Sequence, residues 1–503
     1  MDWWSKVDRS NKGEEEKEMS KFISFSAFIF FLSGFLFAQD KPNIIFMMTD
    51  DQRYDAVGYT GNSVISTPAL DSLAKEGLVF QQCFVSSSIC CISRANIISG
   101  QYPRKHGVKD FHAYLSDQQL QKSIPNLLKK SGYQTAFFGK WGIGETPDKC
   151  NKGAKVFDYW GGQPKQTNYF HEKTCLYVKS NGFKRPIKNL CDCPPDSRGK
   201  KSYNVRIGKD NIKQPVHVDS QVIPQHVGQF LAGRNKQKPF CMMVFFKSPH
   251  GPYQDYDPVF EKIIDHKTIP RDPLATEKYA QNEPEVVKKS LGWSSGFKMA
   301  NSPKLREKHI RNYYRIISSM DLGVKRIVAQ LKKHGLQKNT VIMFTSDNGA
   351  MFGEHGSGGK WLMYETSLRV PGFIYDPRNP GGKVSKQMVI TQDFSATILA
   401  LAGVPIPQEM DGVDLMSLYS GPQKNWRRSF IYSQPYAHKG AIAATIGVRT
   451  EKHVYTRYLH SKPQYEQLFN LQKDPNQLVN LKDNPEYSKL LKELRKRCDE
   501  HQK

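Results

Sequence analysis

The chain has 503 residues, of which 38% are hydrophobic, and its 73 lysines and arginines against 48 acidic residues give a formal charge of +25. The length favours one large α/β domain with a smaller partner, and the charge favours polyanionic partners. The sequence has no recognition helix, zinc-finger spacing or RNP-type strand, so nucleic acid is not an expected partner. A sulfated or otherwise acidic polysaccharide fits the charge.

An apolar run near the start of the chain has the pattern of an export signal. Residues 22–38 are nearly uncharged, follow Lys21 and precede polar residues. This pattern predicts a signal peptide that begins at Met19 and is cleaved near Ala38, so that residues 1–38 form a signal region. An uncleaved anchor is the alternative, although the run is short for spanning a bilayer. We therefore expect a secreted or periplasmic protein with no stable membrane insertion.

Four apolar runs predict strands that are buried on both faces, as in parallel sheets. They lie at residues 43–48, 135–138, 239–246 and 340–345. Helical patterns lie at residues 68–77, 123–132, 223–231, 304–334 and 395–403. Their alternation predicts an α/β fold with a large mixed, mostly parallel sheet flanked by helices. The polar stretches 145–235 and 255–300 are predicted surface elaborations.

The stretch Ser86–Gly100 carries two adjacent cysteines where a helix begins. The positive end of the helix dipole, with Arg94 one turn further on, would favour a thiolate or a bound anion at Cys90. Two ordinary buried cysteines at a helix start are the alternative, because buried cysteine is common.

Cysteines also cluster in the first polar stretch. Nine cysteines in an exported chain permit disulfides, and four of them could staple this stretch: Cys150, Cys175, Cys191 and Cys193. A zinc site is disfavoured, because Cys191 and Cys193 lack a second closely spaced pair. The pairing stays open.

The pattern changes beyond Gly421. Short alternating strands at 429–432, 446–449 and 454–458, followed by a helix from Pro485, predict a small C-terminal α+β subdomain. We therefore expect a catalytic domain over residues 39–424 and a subdomain over residues 425–503.

Polar residues follow the four predicted strands where each one ends. They are Asp50 and Asp51, Lys140, His250, and Asp347 with Asn348. A parallel sheet brings such strand ends to one edge. Three carboxylates and an amide oxygen suit a hard cation, Ca²⁺ or Mg²⁺. With the lysines, the histidine and Arg94 around one nucleophile, they form an oxyanion clamp.

The segment Cys90–Arg94 resembles the Cys-x-Pro-Ser-Arg signature of the type I, formylglycine-dependent sulfatases, within the alkaline-phosphatase-like superfamily. The resemblance extends from about Pro42 to Leu481. It includes the motifs at 49–52, 139–141, 248–250, 345–349, 365–371 and 474–481. Two positions depart from the family pattern: Ile92 stands where the signature has proline, and Gly142 stands where a histidine is usual.

The resemblance implies a sulfuric ester hydrolase in which a formylglycine-generating enzyme oxidises Cys90 to 3-oxoalanine. The implied metal ligands are Asp50, Asp51, Cys90, Asp347 and Asn348, with Ca²⁺ preferred over Mg²⁺. Arg94 would steady the hydrate of the oxidised residue. The sulfate ester would be contacted by Lys140, His250 and Lys360, and His250 or Lys360 would protonate the leaving alcohol. His106 or His355 would replace the histidine missing at position 142.

The charge, the predicted export and the long polar insertion favour a sulfated polysaccharide or oligosaccharide as substrate. One alternative is a phosphodiester or phosphonate hydrolase of the same superfamily. Another is a catalytically impaired protein that binds sulfated glycans, which the departures at Ile92 and Gly142 suggest.

Overall fold

The structure is a computed structural model. It describes residues 41–144, 152–163, 166–170, 179–180, 202–207, 210–215, 217–436, 441–459 and 461–503. The predicted signal region and the four clustered cysteines lie outside these residues, so the signal peptide and the disulfides stay predictions. Residues 42–503 form one compact unit.

A nine-stranded sheet forms the centre of this unit, in the order β13-β2-β12-β9-β1-β8-β3-β4-β5. The described strands are β1 (Asn43–Thr49), β2 (Leu78–Phe84), β3 (Gln134–Lys140), β4 (Tyr159–Gln163), β5 (Lys179–Ser180), β6 (Ser202–Ile207), β7 (Asp210–Pro215), β8 (Phe240–Phe245), β9 (Thr340–Ser346), β10 (Met351–Phe352), β11 (Gly358–Gly359), β12 (Gly372–Tyr375), β13 (Lys383–Ile390), β14 (Ser429–Gln434), β15 (Thr445–Thr450), β16 (His453–Tyr458) and β17 (Tyr465–Asn470). Strands β9, β1, β8, β3 and β4 are mutually parallel, whereas β12 runs antiparallel between β9 and β2. The predicted mixed, mostly parallel sheet is confirmed.

Helices cover the sheet. They are α1 (Pro68–Glu76), α2 (Cys90–Ser99), α3 (Pro103–His106), α4 (Asp117–Gln121), α5 (Ile124–Lys130), α6 (Ile223–Gly233), α7 (Glu277–Gln281), α8 (Glu285–Lys288), α9 (Trp293–Asn301), α10 (Pro303–Lys333), α11 (Glu365–Leu368), α12 (Thr391–Leu401) and α13 (Ser488–Gln502). A π-helical turn, Val218–Val222, precedes α6. Within the described ranges, no helix is both long enough and apolar enough to cross a membrane.

The burial of strand β1 on both faces of the sheet explains why its sequence is continuously apolar. Ile44 and Phe46 belong to the core on one face of the sheet, whereas Ile45 and Met47 belong to the core on the other face. Successive side chains of a strand point to opposite faces, so a strand covered on both sides has no polar face. The second core also contains the apolar side of α10, including Tyr313.

Several elements differ from the sequence-based expectation. Strands β2, β4, β12, β13 and β17 were not predicted. Strand β4 was hidden within the polar stretch 145–235, because it is short and contains two glycines; its Trp160 stacks on Phe137 with ring centroids 4.9 Å apart. The stretch 255–300 is more than a surface elaboration, since α9 packs closely on Ser357 and β11 through Gly296.

The C-terminal region forms a separate antiparallel sheet, in the order β14-β15-β16-β17. Helix α13 covers it and contributes Leu491, Leu494 and Cys498 to a small core with Val448 and Leu468. The α+β character of this region is as predicted, and the domain boundary at residue 425 stays a prediction.

Candidate active site

The predicted site residues follow four neighbouring strands. Strands β9, β1, β8 and β3 are adjacent and parallel, so their carboxyl ends lie along one edge of the sheet. The Asp50 amide donates to the Ser248 carbonyl over 2.9 Å, and the Asp347 amide donates to the Thr49 carbonyl over 3.0 Å. These two bonds hold the loops after the strands together. The residues that the structure brings into one cluster are Asp50, Asp51, Cys90, Arg94, Lys140, His250, Asp347, Asn348 and Lys360.

Three carboxylates and one amide form the centre of the cluster. One oxygen from each of Asp50, Asp51 and Asp347 lies within 4.8 Å of the others. The Asn348 side-chain nitrogen donates to Asp51 Oδ1 over 2.5 Å, while its buried Oδ1 has no hydrogen-bond partner. An unpartnered buried acceptor carries a free-energy cost that a cation removes. The set therefore fits a hard divalent cation, which takes oxygen ligands.

Three cationic side chains contact these carboxylates. Arg94 donates through Nε to Asp347 over 2.8 Å and through Nη2 to Asp50 over 3.0 Å. Lys140 Nζ contacts Asp50. Lys360 Nζ contacts Asp51 and lies 2.7 Å from the sulfur of Cys90. The cluster therefore brings positive donors next to residue 90, as binding of an anionic group requires.

The charges and the burial shift the pKa values of these groups. Burial opposes ionisation of Asp50, but its cationic neighbours, Lys140 foremost, hold its pKa well below the usual value. Burial and the charge of Asp50 raise the pKa of Asp347 to about 7. Burial lowers the pKa of His250, against the attraction of Asp51. Neighbouring carboxylates thus have very different proton affinities, as is typical of functional sites.

Cys90 is the first residue of α2. Its thiol donates to Asp50 Oδ1 over 3.3 Å, and burial, followed by the charge of Asp50, raises the thiol pKa to about 12. Burial and Asp50 thus oppose ionisation of the thiol, whereas Lys140 and Lys360 favour it. The reactivity expected of Cys90 stays a prediction. Ile92 is the third residue of α2. Its backbone N–H has no intrahelical acceptor there, so the helix accommodates either isoleucine or proline at this position.

Gly142 lies against the site. It has a positive φ of 71°, and a Cβ at this position would lie 2.7 Å from Arg94 Cδ. The close approach of Arg94 to the backbone explains why glycine occupies this position, because a side chain there would displace the guanidinium.

The two histidines expected to replace the missing one have other partners. His106 Nδ1 accepts a hydrogen bond from the Val108 amide over 3.0 Å, and its Nε2 lies 2.7 Å from Asn96 Oδ1. Burial lowers the pKa of His106 to about 3. His355 Nδ1 lies 2.7 Å from Glu283 Oε1, and its ring stacks on Tyr364. These partners of both histidines lie outside the cluster. The replacement of the missing histidine by His106 or His355 therefore stays a prediction.

Two side chains that sequence analysis missed support the cluster. The Tyr313 hydroxyl donates to the Asp51 carbonyl over 2.7 Å and accepts from the Arg53 amide over 3.0 Å, which clamps the left-handed backbone of Asp51 at φ 66°. Gln166 Oε1 accepts from Lys140 Nζ over 2.5 Å. Tyr313 belongs to a regular helical apolar pattern and Gln166 to a polar stretch, so neither carried a signal of this role.

Two family models match the chain. The Sulfatase family model covers residues 42–404, and a model described as N-sulphoglucosamine sulphohydrolase, C-terminal, covers residues 353–503.

Individual proteins match over nearly the whole chain. An N-acetylglucosamine-6-O-sulfatase of Bacteroides thetaiotaomicron is 27% identical and covers 92% of this chain and 86% of its own length. An arylsulfatase of Clostridium perfringens is 29% identical, with 91% and 93% covered. A solved structure of a protein in complex with its substrate D-glucosamine-2-N,6-O-disulfate has a TM-score of 0.72 at 24% identity and covers 92% of this chain and 98% of its own. That structure shares the fold.

Proposed function

The chain belongs to the sulfatase family and is a sulfuric ester hydrolase, and on that premise we propose that it removes sulfate from a sulfated polysaccharide or oligosaccharide, with Cys90 oxidised to formylglycine. The observation that carries the proposal is the contact of Cys90 with both Asp50 and Lys360 inside the carboxylate cluster. This position next to a cation site and to cationic donors is where a sulfate ester would be attacked.

The cation is proposed as Ca²⁺ rather than Mg²⁺. Sulfatases generally use formylglycine and a divalent cation, and here Asp50, Asp51, Asp347 and Asn348 would hold the ion together with the oxidised residue 90. Ca²⁺ accepts irregular sets of six to eight oxygen ligands, whereas Mg²⁺ requires near-octahedral geometry. When bound, the ion would supply Lewis acidity, and the oxidised side chain would supply the nucleophilic oxygen.

The cationic residues would bind and orient the sulfate group. Lys140, His250 and Lys360 would contact its oxygens, while Arg94, paired with Asp50 and Asp347, would hold residue 90 in place. His250 or Lys360 would give a proton to the leaving alcohol. An activated aryl sulfate does not need that proton. Loss of a contact to the sulfate oxygens affects both substrates, so a variant that lacks the acid is expected to lose more activity on a sugar sulfate than on nitrophenyl sulfate.

A sulfated glycan is the proposed substrate because of charge and similarity. The formal charge of +25 attracts polyanions. One relative is named for action on N-acetylglucosamine-6-O-sulfate, and one structural neighbour holds a disulfated glucosamine.

Export and maturation are part of the proposal. The segment around residues 19–38 would direct secretion or periplasmic export, and neither nucleic acid nor a membrane is a proposed partner. A formylglycine-generating enzyme would act on Cys90. Because Cys90 is only 1% exposed in the folded protein, that enzyme would have to act before the fold closes.

The proposal is tested by mass spectrometry of the tryptic peptide 76–94 from protein secreted by its own host, together with sulfate release from 6-O-sulfated N-acetylglucosamine oligosaccharides. We expect an aldehyde or its hydrate at Cys90 and measurable sulfate release. The matched variant Cys90→Ala should lose turnover and keep glycan affinity. An intact thiol in active protein would refute the mechanism. Binding without sulfate release would indicate an impaired glycan-binding protein, and preferential cleavage of phosphonate or phosphodiester substrates would indicate the alternative hydrolase.

A further inference from the structure

Three half-buried aromatic side chains pack on a small buried cluster that contains the chain neighbours of Cys90. Phe111, Trp361 and Tyr436 are each partly exposed and pack on a small buried cluster formed by Ile89, Cys91 and Ile92. The rings of Phe111 and Tyr436 meet edge to face, with centroids 5.5 Å apart. We call Phe111, Trp361 and Tyr436 the aromatic patch. None of its three side chains carries a charge, in contrast to the adjoining cluster.

The aromatic patch is linked to the proposed site by residues that are adjacent in sequence. Trp361 directly follows Lys360, whose ammonium lies 2.7 Å from the sulfur of Cys90. Ile89 and Cys91, on which the patch packs, are the two chain neighbours of Cys90. Consecutive Cα atoms are about 3.8 Å apart. Trp361 is therefore one residue from Lys360 in sequence, and the cluster beneath the patch contains both chain neighbours of Cys90.

The backbone at Trp361 is held in an uncommon conformation. Its φ is 80°, in the left-handed region that bulky residues rarely adopt, and the Tyr432 hydroxyl donates to its carbonyl over 3.2 Å. Its ring also lies over Gly359, where an added Cβ would come within 3.1 Å. Such a strained position persists only where the surrounding structure enforces it, and here it fixes the direction in which the side chain of Trp361 leaves the backbone.

We propose that the aromatic patch, with Trp361 as its main element, is a subsite that stacks against the sugar ring whose sulfate occupies the site. The inference rests on the proposed function. A sugar ring has a C–H face that carries slight positive charge, and the faces of aromatic rings are negative, so the two surfaces attract. The cationic cluster binds the sulfate, and the uncharged patch binds the ring that carries it. Binding sites commonly pair apolar walls with a few polar groups in this way.

The test separates ring binding from sulfate binding. In the Cys90→Ala background, calorimetry measures the affinity for N-acetylglucosamine 6-sulfate and for inorganic sulfate. We expect Trp361→Ala to weaken binding of the sugar sulfate at least about tenfold. Trp361→Phe, which keeps an aromatic face, should stay within about threefold of the parent, and inorganic sulfate should bind equally to all variants. Trp426→Ala, at a half-buried tryptophan whose indole donates to the Met388 carbonyl, is the matched control and should bind as the parent does.

Three results would overturn the subsite. The first is an unchanged affinity of Trp361→Ala for the sugar sulfate. The second is an equal loss of affinity for inorganic sulfate, which would mean that Trp361 acts only by positioning Lys360. The third is failure of the parent protein to bind the sugar sulfate. Sulfate release by the otherwise wild-type enzyme is measured separately. A protein that binds through the patch but releases no sulfate would contradict the proposed function and leave the subsite standing.

Discussion

Glu354 is a buried acid whose removal has a calculable effect on stability. Its side chain is fully buried, with Oε1 2.7 Å from Arg53 Nη1 and 3.4 Å from Arg306 Nη2. At an effective dielectric constant of about 20, these distances correspond to roughly 6 and 5 kcal/mol of Coulomb attraction, most of which the burial of the ions offsets. Removing one partner from such a group typically costs about 3–5 kcal/mol, because the remaining charges stay buried.

The substitution Glu354→Gln is therefore expected to lower the free energy of unfolding by about 3 kcal/mol. The lower end of the range applies because Asp272, 3.4 Å from Arg306, can take over part of the pairing. In the wild type, burial and the charge of Glu354 raise the pKa of Asp272 to about 6. Without that charge Asp272 ionises more readily, so Glu354→Gln combined with Asp272→Asn should cost more than the sum of the two single changes.

The pH dependence gives a second measurement. Burial opposes ionisation of Glu354, but Arg53 and Arg306 hold its pKa below the usual 4.5, so its stabilising effect is present above about pH 4.5 and is lost as the pH falls. The raised pKa of Asp272 has the opposite sign, so wild-type stability declines as the pH rises towards about 6. The difference between wild type and Glu354→Gln should therefore be largest at about pH 4 and should become smaller as the pH rises towards about 6.

Urea unfolding followed by tryptophan fluorescence at several pH values measures these differences. The control is Glu451→Gln, which removes the exposed pair with Arg428 and should leave the free energy of unfolding close to that of the wild type. A loss for Glu354→Gln as small as that of the control would refute the reasoning, as would a difference that does not change between pH 4 and pH 7.

Three further predictions concern the site. Gly142→His should not raise turnover above that of the wild type and should lower the free energy of unfolding by more than about 1 kcal/mol, because the new Cβ would lie 2.7 Å from Arg94 Cδ at a positive φ. Increased turnover would show that the position tolerates histidine. Tyr313→Phe should lower the free energy of unfolding in urea by about 1–3 kcal/mol and should lower kcat, because the buried Asp51 carbonyl and the Arg53 amide lose their shared partner. An unchanged kcat would show that the Tyr313 hydroxyl is not needed to position Asp51. Chelation of divalent ions should abolish turnover and lower the melting temperature, with Ca²⁺ restoring both better than Mg²⁺; full activity in chelator would exclude the proposed cation.

The site residues at the strand ends were predictable from the sequence, because apolar runs form buried strands and the ends of adjacent parallel strands converge. Asp50 and Asp347 each follow a continuous apolar run, and such runs form adjacent parallel strands whose ends converge. Lys140 and His250 were found by the same argument, and Cys90 by its resemblance to a family signature.

The supporting contacts were not predictable from local pattern. Tyr313 lies 262 residues from Asp51 in sequence, and only the packing of α10 against the sheet brings its hydroxyl to the Asp51 carbonyl. The Cys90 thiol contacts Asp50 and Lys360, which lie 40 and 270 positions away in sequence, so no local pattern predicted these contacts. Strand β4 escaped notice because its two glycines weaken the usual β pattern.

The pairing of β1 with β9 makes the proposed site depend on the integrity of the central sheet. The Asp51 amide meets Asp347 across 296 positions of chain, so the cluster exists only while the central strands remain docked. A fragment that stops before Thr340 lacks Asp347 and Asn348, two of the five proposed ligands, and a local separation of these strands would disrupt the proposed ion and sulfate sites together. Binding of the proposed ion would thereby stabilise the docking of the central strands, so a higher ion concentration should make the intact chain more resistant to proteases.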